Sequence, residues 1–129
     1  MTRRATGTFT TVFEPLPIDD DTIGRTQVLK TFEGDITGTG RAEMLSVGTP
    51  IDGSAGYVAI DLVDGTLHGH RGSFVLQHYG LMDRGSGTLV VRVVPDSGTD
   101  ELTGLTGTFQ IDNSSEEHRY LFDYEITPR

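Results

Sequence analysis

A chain of 129 residues with 19 acidic and 10 basic side chains carries a net charge of −9 at neutral pH. That balance lacks the clustered Lys and Arg that a phosphate backbone requires, so nucleic acid is excluded as an expected partner. The absence of cysteine excludes a disulfide framework, a thiolate metal site and a thiol nucleophile. The length suits one domain, residues 1–129, able to bury roughly two-thirds of its unfolded surface.

Met1-Thr2-Arg3-Arg4 is basic, but a Thr-rich run follows it instead of an apolar one. No later apolar run approaches a bilayer span, so a cytoplasmic protein without membrane contacts is the expectation. Seventeen glycines are spread along the chain between β-favouring runs, which is the pattern of an all-β sandwich or barrel. Strands are expected at Thr6–Phe13, Arg25–Thr37, Arg41–Gly48, Gly56–Val63, Thr66–Gly80, Gly87–Val94, Gly107–Asp112 and Arg119–Thr127. Pro15 to Asp21, Thr37-Gly38-Thr39-Gly40, Pro50 to Ser54, Asp64-Gly65, Asp83 to Ser86 and Pro95 to Gly98 read as breaks. Asp100 to Leu105 has room for one helical turn closed by Gly104. Asp19-Asp20-Asp21 reads as a solvated loop, since it lacks the alternating ligands and glycine of a calcium loop.

Side chains alternate between the two faces of a strand, so they can be sorted by parity. A two-residue turn at Gly38-Thr39 would set Phe32 opposite Leu45, Gly34 opposite Glu43 and Lys30 opposite Val47. Phe32, Ile36, Leu45 and Val47 then point inward, and Lys30 and Glu43 go with them. A turn at Asp64-Gly65 sets Asp61 opposite His68 with a two-residue loop. With a three-residue loop it sets Val63 opposite Leu67 and keeps Asp61 on their side; we favour the second form. Further on, Phe74, Leu76 and His78 share one face, and Tyr120, Phe122, Tyr124 and Ile126 share another. Such an interior is too polar for a plain core and suits a barrel enclosing a small cavity.

The runs "KTFEGDITGTGRAEML", "GYVAIDL", "GTLHGHRGSFVLQHYG" and "VVPDSGTDELTGLTGTF" resemble a bacterial family of uncharacterised proteins, a domain of unknown function. The resemblance runs from about Gly7 to Ile126. That family is placed in the allene oxide cyclase-like barrel superfamily, which is similar to plant dirigent proteins. It implies an antiparallel eight-stranded β-barrel, and it offers relatives that cyclise or couple reactive small molecules without a cofactor. It carries no catalytic residue across; where the family usually has Glu, this chain has Asp61.

The residues themselves single out Glu43, His78 and Asp61 as candidate acid–base groups. A buried carboxylate beside an imidazole can exchange a proton near neutral pH. Lys30 is the candidate anion holder, and Phe32, Tyr57, Phe74, Tyr120 and Tyr124 are candidate walls for an apolar ring or chain. The plainer account makes Lys30–Glu43 an internal ion pair and has His78 donate to a carbonyl. His68-x-His70 is the one metal-like spacing, with only two local ligands, so no metal site and no cofactor is expected. No Gly-x-Ser-x-Gly elbow, P-loop or His-Glu-x-x-His run is present. The expected function is a small-molecule-binding barrel acting as a cofactor-free isomerase or cyclase on a small apolar substrate. The alternative is a non-catalytic binding or interaction barrel. Apolar residues facing outward, among them Leu29, Val58, Ile60 and Leu121, raise the prospect of a homo-oligomer.

Overall fold

The computed structural model describes residues 2–18, 21–112 and 117–128; Asp19 and Asp20 of the acidic triplet lie outside them. Eight strands follow one another around a closed antiparallel barrel, each paired with its sequence neighbours and the last with the first. They are β1 (Arg3–Pro15), β2 (Ile23–Gly34), β3 (Ile36–Gly48), β4 (Ala55–Leu67), β5 (His70–Asp83), β6 (Ser86–Val93), β7 (Leu105–Asp112) and β8 (His118–Ile126). One short 3-10 turn, Asp100–Leu102, interrupts the β6–β7 connection, and Gly104 beyond it has φ +86°. Closure leaves no free sheet edge, which removes the usual route to edge-to-edge aggregation.

Two turns sit elsewhere than the sequence suggests. The β2–β3 reversal is at Gly34-Asp35, where Gly34 takes φ +104°, a left-handed value that a side chain resists. Asp35 is tied down there: its carboxylate accepts from the Thr6 amide, and its carbonyl accepts from the His68 amide. Lys30 therefore pairs with Gly40 instead of Val47, a slip of seven residues. An odd slip turns β3 over relative to β2. Leu45 and Val47 consequently face outward, together with Glu43. The β4–β5 turn is His68-Gly69, both residues at positive φ, as a type I′ hairpin needs. Asp64-Gly65 lies within β4, and Asp61 pairs with Leu76 instead of His68 or Gly69. The inward parity of Asp61, Val63 and Leu67 survives, because all three are on one strand.

The barrel is filled unevenly. At the end closed by the Gly34-Asp35 and His68-Gly69 turns, large inward side chains pack solidly: Phe32, Ile36, Leu67, Phe74, Phe109, Phe122 and Tyr124 are buried. Phe109 and Tyr120 stack at 5.4 Å, and Phe74 and Phe122 at 5.8 Å. The Tyr120 hydroxyl accepts from the Ile36 amide at 2.8 Å and donates to the Glu33 carbonyl at 3.0 Å. Toward the other end the inward positions of β3 and β4 shrink to Gly40, Ala42 and Ala59. That loss of side-chain volume opens a cavity.

Candidate functional site

The cavity has a volume of about 260 Å³, and all eight strands contribute to its wall. Phe9, Phe13, Val28, Met44, Leu89 and Ile111 make most of it apolar. Its polar groups are Thr11, Lys30, Tyr57, His78 and His118. Tyr57 lies where a Cβ on Gly80 would stand, 2.3 Å from its ring, so the glycine on β5 makes room for the tyrosine on β4. Burial pushes the Tyr57 hydroxyl above its ordinary value, which keeps it protonated and a donor.

Beneath Lys30 and His78 sits Asp61, fully buried. Its Oδ2 lies 2.7 Å from Lys30 Nζ and 3.3 Å from His78 Nε2. Lys30 is on β2 and Asp61 on β4, so the ammonium must cross the intervening strand. It can do so because its β3 partner is Gly40: a Cβ there would come within 3.0 Å of Asp61 Oδ1 and 3.3 Å of Lys30 Cβ. His78 reaches the same carboxylate diagonally from β5, since its direct partner on β4 is the small Ala59. Burial is the largest influence on the Asp61 carboxyl and pushes its pKa up. The His78 hydrogen bond and the Lys30 charge together outweigh it, leaving the group below the ordinary carboxylate range.

A carboxylate can only accept, so His78 donates from Nε2 to Asp61, and its other nitrogen is left as an acceptor in the neutral ring. Nδ1 makes no hydrogen bond to the described residues, and the ring lines the cavity. Lys30 likewise keeps two N–H donors beyond the one given to Asp61. Asp61 Oδ1 is buried without a hydrogen-bond partner among the described residues. It faces the Gly40 backbone.

Of the residues singled out from sequence, Lys30, Tyr57 and His78 line the cavity, and Asp61 underlies it. Phe32, Phe74, Tyr120 and Tyr124 belong to the solid end and line no part of it. Glu43 is outside the barrel, in an ion pair with Arg25 on an exposed face. The internal partner of Lys30 is therefore Asp61, and the cause is the seven-residue slip. His68 and His70 do not form a ligand pair: His68 is in the turn, with Nδ1 2.5 Å from the Tyr124 hydroxyl, and His70 faces Glu101. No group of three or more possible metal ligands occurs among the described residues. The sequence reading missed Phe9, Phe13 and His118. Alternation of Phe9, Thr11 and Phe13 along β1 was the available signal.

A family model described as "Protein of unknown function (DUF3224)" matches residues 5–124. Among solved structures, a DUF3224 protein of unknown function from Shewanella oneidensis MR-1 is 41% identical, covers 100% of both chains and superposes with a TM-score of 0.95. No curated protein matches the chain. No helix among the described residues is long and apolar enough to cross a membrane.

Proposed function

The chain belongs to the DUF3224 family of proteins of unknown function, and from that premise we propose that its open half-barrel binds a small, largely apolar organic molecule in the cytoplasm and isomerises or cyclises it without a cofactor. One observation carries this reading: a fully buried carboxylate holds an ammonium and an imidazole at the floor of an apolar cavity. Burying charges is costly, and a barrel that needed only a core would fill the position with apolar side chains. A volume of about 260 Å³ falls just below the ~300–1,000 Å³ of drug-sized sites, so the occupant is a smaller molecule.

The chemistry follows from the donor set. A carbonyl or carboxylate oxygen of the ligand would take the free N–H groups of Lys30, with its apolar remainder against Phe9, Phe13 and Met44. His78 Nδ1 is then placed to take a proton from a carbon next to that carbonyl and return it at another carbon. Asp61 would stabilise the imidazolium formed in between, and Lys30 the enolate oxygen. No electrons are gained or lost overall, so no redox partner is required. The resemblance to the allene oxide cyclase-like superfamily supports this reading, since relatives there cyclise or couple reactive small molecules, held in a hydrophobic barrel, without a cofactor.

The test is ligand-observed NMR with a panel of aryl ketones, enones and aromatic carboxylates in D2O. The wild type should bind members of the panel and catalyse deuterium exchange next to the carbonyl. His78→Ala should keep the fold and lose the exchange by a factor of about 100 or more, the usual size of an acid–base contribution. Binding by no member of the panel, or exchange indifferent to His78→Ala, would remove the proposal. A non-catalytic interaction barrel is the competing reading, and the apolar outer surface is the observation that favours it.

A further inference from the structure

The outer surface of the barrel is divided. On β1, β7 and β8 the outward residues are mostly Thr and charged groups, such as Thr6, Thr8, Thr10, Thr106, Thr108 and Asp123. On β3 to β6 an apolar band crosses the strands between polar ends. Strand pairing places Leu45, Val58, Tyr79 and Val90 in one continuous row across four strands, each between 45% and 50% exposed. Ile60 and Leu62 extend the patch on one side, Val47 and Leu81 on the other. Because the apolar outer surface covers only part of the ring, it does not form the lipid-facing belt of a membrane barrel. A patch this large and continuous on a soluble face usually marks an interface.

We propose that this face is covered by a second copy of the chain, related by a twofold axis running parallel to the strands between β4 and β5. The charges select that partner and that axis. In the row next to the apolar one, Glu43, Ile60, Gln77 and Arg92 lie side by side, with the acid on β3 and the base on β6. A twofold axis between β4 and β5 exchanges β3 with β6. It sets Glu43 opposite Arg92 of the second copy, Ile60 opposite Gln77, Val58 opposite Tyr79 and Leu45 opposite Val90. Glu43 uses Oε1 to hold Arg25 of its own chain, and Oε2 is the atom offered across the interface. Each copy carries a net charge of −9, so most approaches are repulsive. Across the outward rows of β3 to β6 the charged groups are Arg41, Arg71 and Arg92 against Glu43, Asp64 and Asp83, which leaves this face free of excess acid. Because the barrel face is convex, β4 and β5 of the two copies approach to about 10 Å while β3 and β6 curve away, and the long Glu43 and Arg92 side chains span the wider gap.

Four strands about 4.8 Å apart and seven residues long span roughly 19 by 24 Å. That area lies below the ~800 Å² per partner of a standard interface, and the curvature of the barrel reduces the part in contact, so the dimer belongs to the modest class. Sedimentation velocity at roughly 100 µM, above the micromolar constants common for modest interfaces, is the direct test. The wild type should sediment with twice the chain mass, and Tyr79→Asp should be monomeric with an unchanged β-sheet circular dichroism spectrum and a melting temperature that no longer rises with concentration. Arg92→Glu alone should weaken the dimer at least tenfold, and adding Glu43→Arg in the same chain should restore it. A monomeric wild type, a dimer that persists in Tyr79→Asp, or a charge swap without rescue would each overturn the arrangement.

Discussion

Replacing Lys30 with Met keeps most of the side-chain length and removes the ammonium from a carboxylate that has no contact with water. The two groups are 2.7 Å apart, and Asp61 is fully buried while the Lys30 side chain is 9% exposed. At an effective dielectric of about 20 the gross attraction lost is roughly 6 kcal/mol. Breaking a buried pair in this way costs about 3–5 kcal/mol net, because the stranded carboxylate must stay charged without a cation or take up a proton. Against a total stability of about 5–15 kcal/mol, that loss is large. The Lys30→Met/Asp61→Asn double variant should recover most of it, since no unpaired charge remains. The pH dependence separates the two chains further. In the wild type the folded carboxyl of Asp61 lies below its unfolded value, so its contribution is present above about pH 4 and disappears as pH falls through the folded pKa. In Lys30→Met the lowering effects of Lys30 are lost while burial and the His78 hydrogen bond remain, so the carboxyl lies higher than in the wild type and protonation relieves the strain. The gap between variant and wild type should therefore narrow on going from pH 7 to pH 5. Urea unfolding of the three chains at both values measures all of this. A cost below about 1 kcal/mol for Lys30→Met, or a double variant no more stable than the single one, would refute the reasoning.

Gly40→Ala should destabilise by about 1–3 kcal/mol, since its Cβ would meet the Phe32 ring at 2.9 Å and Asp61 Oδ1 at 3.0 Å; a neutral or stabilising result in thermal unfolding would contradict the crossing of Lys30 over β3. Tyr120→Phe should cost about 1–3 kcal/mol by leaving the buried Ile36 amide without its acceptor; calorimetry showing a change under about 0.5 kcal/mol would mean that water replaces the hydroxyl.

What was legible in the sequence was whatever a single strand carries by itself. Phe74, Leu76 and His78, or Tyr120, Phe122 and Tyr124, alternate along one strand, and their shared face needs no knowledge of partners. Relations between strands depend on where the chain turns, and glycine marks close approach as well as turning. Gly38 and Gly65 lie opposite each other inside β3 and β4, where a Cβ on either would strike the neighbouring backbone. They imitate turns. The true reversals use Gly34-Asp35 and His68-Gly69, where the partner of the glycine is a less usual one. Asp61 kept its inward place because its neighbours on β4 determined it. Glu43 points inward only if β2 and β3 pair around Gly38-Thr39, and the seven-residue slip between the strands puts it at the surface.

Seven of the eight pairings that make the ring join strands adjacent in the chain, while the eighth brings Arg3 beside Tyr124. Closing that span costs more chain entropy than any hairpin does. Until β8 docks on β1 the half-built sheet is curved but open, and the ground around Lys30 and Asp61 stays wet. With closure as the last step, the ammonium and carboxylate would exchange water for each other only there. Stability lost at that pair should then emerge as faster unfolding, with the rate of folding nearly unchanged, which stopped-flow kinetics of Lys30→Met checks.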